Sequence, residues 1–150
     1  SYLEEWREQN NILTLPGNYI LIEFSMLFAP SERIMETLFQ LKLKGYKLIV
    51  AHPERYLYWK NNRKAFERLK IFNLYFQMNS LSLIGYYGPD VQKLCKQLIE
   101  LEMYDFIGTD THRMEQLAYT QKTPIQLNQK SIEIVETLVT ANKTFETIPI

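Results

Sequence analysis

The segment YKLIVAHPER, residues 46–55, joins a continuous apolar run to a group of polar residues. The run ends at Ala51, and His52, Glu54 and Arg55 follow within four positions. A short strand that is apolar on both faces is typical of a parallel sheet covered by helices. The segment therefore predicts a buried strand that delivers polar side chains at its carboxyl end.

Apolar runs and amphipathic helical patterns alternate on both sides of this segment. The predicted strands are residues 18–24, 46–51, 74–79 and 104–108, and the predicted helices are residues 31–44, 61–70, 89–102 and 131–142. This alternation predicts an α/β fold with parallel strands and outer helices. Because no glycine-rich loop follows the first strand, a barrel-like arrangement is favoured over a dinucleotide-binding fold, although four units cannot close a barrel.

Composition limits the classes of function. The chain has 150 residues, which is enough for one domain with a core, and its 17 basic residues balance 17 acidic ones. We therefore expect no binding to nucleic acid and no attraction to an anionic membrane. The apolar runs are too short for membrane insertion, and the single cysteine, Cys95, favours a reducing compartment and a core position. These features predict a cytoplasmic protein.

Each predicted strand is followed by groups that can bind ligands. Glu23 lies in the apolar run of the first strand, His52 follows the second, and Asp110 and His112 follow the fourth, while the third ends in Gln77, Asn79 and Ser80. A carboxylate in an apolar strand is costly unless a cation meets it, so Glu23 predicts a nearby metal or arginine. Carboxylate and imidazole together suit Mn²⁺, Fe²⁺ or Zn²⁺.

Other interpretations of these residues remain open from the sequence. Asp110 also suits the N-cap of a helix beginning near residue 113, and Glu23 could be neutralised by a lysine. Arg55 has the planar fork that matches phosphate oxygens, but it could equally form a solvated pair with Glu54. Tyr86 and Tyr87 could stack on an aromatic substrate or simply pack in the core.

Three segments, in this order and at these separations, carry a family resemblance: GYKLIVAHPERY, FQMNSLSLIGYYG and FIGTDTH, which are residues 45–56, 76–88 and 106–112. Together they resemble the second half of bacterial tyrosine phosphatases of the polymerase and histidinol phosphatase (PHP) superfamily, of the capsule and exopolysaccharide biosynthesis type. The similarity extends from about residue 16 to residue 112. It implies a distorted (β/α)₇ barrel in which metal-activated water attacks the phosphorus of phosphotyrosine.

The resemblance also implies roles for individual residues. Glu23, His52, Asp110 and His112 match metal ligands, and the metal of such enzymes is usually manganese. Arg55 matches the catalytic arginine that holds the phosphate, and Arg113 is the nearest candidate for a second one, although it follows the Asp-x-His pair more closely than in the family. The implied partner is a phosphotyrosine-bearing protein such as a bacterial tyrosine kinase.

One departure from the family pattern matters most. Such enzymes begin with a His-x-His pair, whereas this sequence contains only His52 and His112. We therefore expect residues 1–150 to form a single, incomplete PHP-like domain that lacks amino-terminal units and is weak or inactive alone. Uncovered strand edges predict either a homo-oligomer or a marginally stable monomer. Two alternatives remain: a non-catalytic binding module of the same fold, and a PHP phosphoesterase for a small molecule.

Overall fold

Four parallel strands form one sheet in the computed structural model, which describes residues 14–110 and 114–145. The strands, in chain order and in sheet order, are β1 (Tyr19–Ile22), β2 (Lys47–Ala51), β3 (Tyr75–Asn79) and β4 (Phe106–Gly108). The register pairs Ala51 with Gln77 and Asn79 with Gly108, so the carboxyl ends of neighbouring strands meet at one edge of the sheet. The predicted α/β class is confirmed.

Helices connect the strands and cover the sheet. They are α1 (Glu32–Leu43), α2 (Arg63–Ile71), α3 (Ser80–Leu83), α4 (Pro89–Glu100), α5 (Met114–Lys122) and α6 (Gln129–Ala141). Short 3₁₀ turns occupy Pro53–Arg55, Leu57–Trp59 and Asn142–Phe145. Polar N-caps start four of the helices: the side chains of Ser31, Asn62, Asn79 and Asn128 accept hydrogen bonds from backbone N–H groups of the first turn.

The core lies around the two central strands. Leu48, Ile49 and Val50 of β2 are fully buried, as are Phe76 and Met78 of β3. Both faces of the central sheet are therefore covered, as the continuous apolar run of residues 46–51 predicts. Cys95 of α4 is also fully buried, in agreement with its prediction as a core residue.

The two edges of the sheet differ. Asn142, after α6, donates from Nδ2 to the Ile107 carbonyl and accepts at Oδ1 from the Ile107 N–H, so its amide pairs with the outer edge of β4. Among the described residues, no strand pairs with the outer edge of β1. Leu21 of β1 is 48% exposed, and Leu27 and Phe28 beyond it are 76% and 71% exposed. An apolar surface thus surrounds the open edge.

No helix in the described part of the chain is long enough and apolar enough to cross a membrane.

Candidate active site

Four of the predicted site residues lie together at the carboxyl ends of the strands. Nε2 of His52 is 3.6 Å from Oε2 of Glu23 and 3.9 Å from Oδ2 of Asp110. Nη1 of Arg55 is 3.4 Å from the same Asp110 oxygen. The ends of β1, β2 and β4 therefore contribute an imidazole, a guanidinium and two carboxylates to one cluster.

Two members of this cluster have unusual backbone conformations. His52 has φ 36° and ψ 57°, and Asp110 has φ 44°, so both occupy the left-handed region. For a residue with a Cβ this conformation costs roughly 1–2 kcal/mol, and it persists only where surrounding contacts impose it. The His52 N–H donates to the Gln77 carbonyl at 2.8 Å, which anchors the bend at the end of β2. Both bends bring their side chains towards the same place.

The His52 ring is buried but lacks the hydrogen bonds of a structural histidine. Burial and, secondarily, the Arg55 charge lower its pKa, although Glu23 and Asp110 act in the opposite direction. The ring is therefore neutral at physiological pH, which is the form that binds metals. Nδ1 is buried and has no hydrogen-bond partner among the described residues, and Nε2 faces its two carboxylates beyond ordinary hydrogen-bond distance. Hydrogen bonding within the described residues therefore does not explain why a histidine is buried at this position.

Glu23 is more exposed than the sequence predicts. The carboxylate was expected in an apolar strand with a large desolvation cost, but β1 ends at Ile22 and the Glu23 side chain is 60% exposed. The reason is that β1 is the edge strand, and among the described residues no further strand pairs with its outer side. Its proximity to His52 agrees with the predicted role, but the desolvation argument that led to Glu23 was wrong.

Glu54 excludes one interpretation that the sequence left open, because it does not form a solvated pair with Arg55. Its side chain is fully buried, and its two oxygens accept hydrogen bonds from the Asn79 N–H at 2.9 Å and the Tyr104 hydroxyl at 2.8 Å. Burial raises the pKa of this carboxyl group above its ordinary value, while the hydrogen bonds act in the opposite direction. Glu54 thereby fastens the turn that carries His52 and Arg55 to the end of β3.

Tyr56 fastens the other side of the same turn. Its fully buried hydroxyl donates to the Ala51 carbonyl at 2.9 Å and accepts from the Phe24 N–H at 3.0 Å. These two backbone groups adjoin His52 and Glu23, so one hydroxyl fixes the relative position of two site residues. Sequence reasoning missed the supporting roles of Glu54 and Tyr56. The available signal was their place within the motif, between and beside the predicted site residues.

Two further site residues were predicted from the sequence. His112 and Arg113 lie outside the described residues. Across residues 14–110 and 114–145, no group of three or more His, Cys, Asp or Glu side chains that could hold a metal ion by itself is present. The donor types nevertheless fit a divalent transition metal, because a neutral imidazole faces two carboxylates across gaps too long for hydrogen bonds.

One cavity in the described part of the chain lies away from this site. It is a groove of about 840 Å³ along α1, lined by Met35, Phe39, Phe72 and neighbouring charged residues. None of the clustered site residues lines it. The strand-end site is instead an open surface, as the exposure of Glu23 indicates.

Comparisons with known proteins identify a matching family and several similar proteins. The family described as "Capsular polysaccharide synthesis, CpsB/CapC" matches residues 2–144. Tyrosine-protein phosphatase YwqE of Bacillus subtilis (strain 168) is 35% identical over 98 residues, which cover 65% of this chain and 38% of YwqE. CapC of Staphylococcus aureus, named as a putative tyrosine-protein phosphatase, is 31% identical over 100 residues, which cover 64% of this chain and 37% of CapC.

A solved structure has the same fold. It comes from the crystal structures of YwqE from Bacillus subtilis and CpsB from Streptococcus pneumoniae, which are described as metal-dependent tyrosine phosphatases. The TM-score is 0.68 at 26% sequence identity, over 91% of this chain and 52% of that chain. The present chain thus spans less than two fifths of the two curated relatives and about half of the solved one.

Proposed function

Because the chain belongs to the capsular polysaccharide synthesis CpsB/CapC family, we propose that it forms part of a metal-dependent protein-tyrosine phosphatase. The observation that carries the proposal is the convergence of Glu23, His52, Arg55 and Asp110 at the ends of three strands. A metal-dependent site for hydrolysing a phosphomonoester needs ligands for a cation and a separate group that holds the phosphate, and this cluster contains both kinds.

The residues divide between these two tasks. Glu23, His52 and Asp110 would hold the metal together with His112, and Mn²⁺ is the proposed ion, with Fe²⁺ and Zn²⁺ as alternatives. A bound divalent metal would activate water and offset the charge that grows on the phosphoryl oxygens. Arg55 would hold the phosphate and so acts as a catalytic residue, and Arg113 is proposed as a second phosphate-binding group. Cys95 is buried, and burial raises its pKa, which argues against a cysteine nucleophile.

The proposed substrate is a phosphotyrosine-bearing protein that acts in capsule or exopolysaccharide synthesis, such as a bacterial tyrosine kinase. Relatives named as tyrosine phosphatases support this choice. The surroundings of Arg55 support it too, because Tyr87 lies against the guanidinium and Tyr86 packs on Tyr87. We further propose a cytoplasmic location, and we interpret residues 1–150 as one incomplete PHP-like domain, since longer relatives extend beyond the matched part.

The first experiment measures metal binding, because it does not depend on turnover. Saturating Mn²⁺ should raise the free energy of unfolding of the 150-residue chain by more than about 1 kcal/mol, since a ligand that binds only the folded state stabilises it. The variant His52→Gln should lose most of this effect. Glu67→Gln, on the surface of α2 outside the cluster, is the matched control and should respond like the wild type.

Hydrolysis then separates the candidate functions. Release of phosphate from a phosphotyrosine peptide, slow because the domain is incomplete but faster than from histidinol phosphate and lost in His52→Gln, is the expected result. A preference for histidinol phosphate would instead support a phosphoesterase for a small molecule. If Mn²⁺ neither stabilised the chain nor produced activity, the chain would be a non-catalytic binding module of this fold.

A further inference from the structure

Arg55 is held between two groups. On one side Nη1 lies 3.4 Å from the Asp110 carboxylate, and on the other the guanidinium carbon lies 4.2 Å from the centre of the Tyr87 ring. A cation over an aromatic face at this distance is attracted by the negative charge of the ring face. Arg55 is only about a quarter exposed, so solvent screens this attraction incompletely.

Tyr87 is itself fixed in place. Its hydroxyl accepts a hydrogen bond from Nδ2 of Asn79 at 3.3 Å, and Tyr86 packs edge-on against its ring with the centres 5.1 Å apart. Asn79 is the last residue of β3, and its backbone N–H donates to Glu54, the residue before Arg55. One buried residue therefore connects both the aromatic ring and the backbone turn that define the place of Arg55.

We propose that Tyr87 is a positioning residue for Arg55, and that its ring fixes the plane of the guanidinium for binding a phosphate monoester. An arginine side chain has several rotatable bonds, and ordering it at the moment of binding would reduce affinity. The neighbouring Asp110 alone would favour a pose turned towards the carboxylate. The Tyr87 ring sets how the guanidinium plane is turned about its contact with Asp110. The guanidinium is therefore ordered before the phosphate binds. This inference rests on the proposed function of Arg55.

The test uses the 150-residue chain with Mn²⁺ and phenylphosphonate, an aryl phosphate analogue that cannot be hydrolysed as an ester. Calorimetry should show that Tyr87→Leu weakens phenylphosphonate binding at least fivefold, whereas Tyr87→Phe, which keeps the ring, stays within twofold of the wild type. Tyr119→Leu is the control, since Tyr119 is an exposed residue of α5 whose ring packs against Tyr86 rather than against Tyr87. It should also stay within twofold.

A second readout follows Arg55 directly and would not change if Tyr87 were merely a packing residue. In metal-free protein, the NMR order parameter of the Arg55 Nε–Hε bond should fall in Tyr87→Leu, because the guanidinium is no longer held in one plane, and should stay unchanged in Tyr87→Phe. Thermal unfolding verifies that each variant is folded, and Tyr87→Met replaces Tyr87→Leu if the latter is not.

Arg55→Ala separates the positioning role of Tyr87 from the phosphate-binding role of Arg55. If Arg55→Ala weakens binding of phenylphosphonate and Tyr87→Leu does not, the positioning role of Tyr87 is refuted while the proposed role of Arg55 stands. If Arg55→Ala leaves the affinity unchanged, both the phosphate-binding role of Arg55 and the inference drawn from it fail.

Discussion

The residues of the His52–Tyr56 turn divide between the strand-end cluster and the buried core beneath it. His52 and Arg55 reach the strand-end cluster, whereas Glu54 and Tyr56 are fully buried and bond to neighbouring strand ends. The turn can alternate in this way because it begins with a left-handed residue and continues as a 3₁₀ turn that starts at Pro53. Arg55 therefore lies directly between two residues that anchor the turn.

The buried carboxyl group of Glu54 predicts a dependence of stability on pH. Its pKa is raised in the folded state, so the folded protein binds more protons than the unfolded chain. The stability that this group contributes is present below its ordinary pKa of 4.5 and is lost as pH rises through the folded-state value. Glu54→Gln removes this titration.

Urea unfolding of both proteins between about pH 4.5 and pH 8 tests this prediction. The free energy of unfolding of the wild type should fall relative to that of Glu54→Gln as pH rises. A difference that stays constant with pH, or that moves in the opposite direction, would show that hydrogen bonds from Asn79 and Tyr104 outweigh burial.

The sequence predicts most of the site residues but not the buried residues that anchor them. A polar residue directly after an apolar strand is visible in the local sequence, so His52, Arg55 and Asp110 are identifiable as candidates from their positions alone. The burial of Glu54 is not, because its partner Tyr104 is 50 positions away and no local pattern identifies it. The exposure of Glu23 was mispredicted for a related reason: which strand lies at an edge is a property of the whole sheet.

At the scale of elements, side chains as well as backbone ladders join the strand ends. β1 pairs with β2 only as far as Ile22 and Val50, and beyond that point the Tyr56 hydroxyl takes over by bridging Phe24 and Ala51. This continuation keeps Glu23 and His52 adjacent after the ladder has ended.

Removing the bridging hydroxyl tests its contribution. Tyr56→Phe should lower the free energy of unfolding by about 1–3 kcal/mol, because it leaves a buried N–H and a buried carbonyl group unpaired. Tyr58→Phe is the matched control: its hydroxyl donates to the Ser25 carbonyl at an exposed site, and its loss should cost less than about 1 kcal/mol. Chemical denaturation measures both, and equal costs would contradict a special role for Tyr56.

The elements themselves were largely predictable. Helical spacing of apolar residues with Ser31 as N-cap gave α1 within a residue at each end, and Pro89 correctly opened α4. Strands were shorter than predicted by one to two residues at some ends, because apolar residues continue to pack in the core after the ladder stops, as Phe24 does.

At the scale of the whole molecule, the apolar surface beside β1 indicates association. Leu21 faces outward from the edge strand, with Leu27 and Phe28 in the loop that follows. An open strand edge with apolar neighbours is suited to pairing with another chain. We therefore expect the 150-residue chain to self-associate through this edge.

Sedimentation at several protein concentrations should show a mass that increases towards a dimer for the wild type. Leu21→Lys should shift this increase to at least fivefold higher concentration, because a charge on an edge strand opposes pairing. Leu43→Lys changes another exposed leucine, at the end of α1, and should leave the mass unchanged relative to the wild type. Association that resists Leu21→Lys would place the interface elsewhere.

The side-chain amide of Asn142 determines at which edge a further strand could join the sheet. By offering Ile107 both a donor and an acceptor, it occupies the place that the backbone of a fifth strand would take beside β4. Any lengthening of this sheet, whether by gene fusion in evolution or by an engineered extra strand, is therefore directed to the β1 side. A designer who wished to build outward from β4 would first have to replace Asn142.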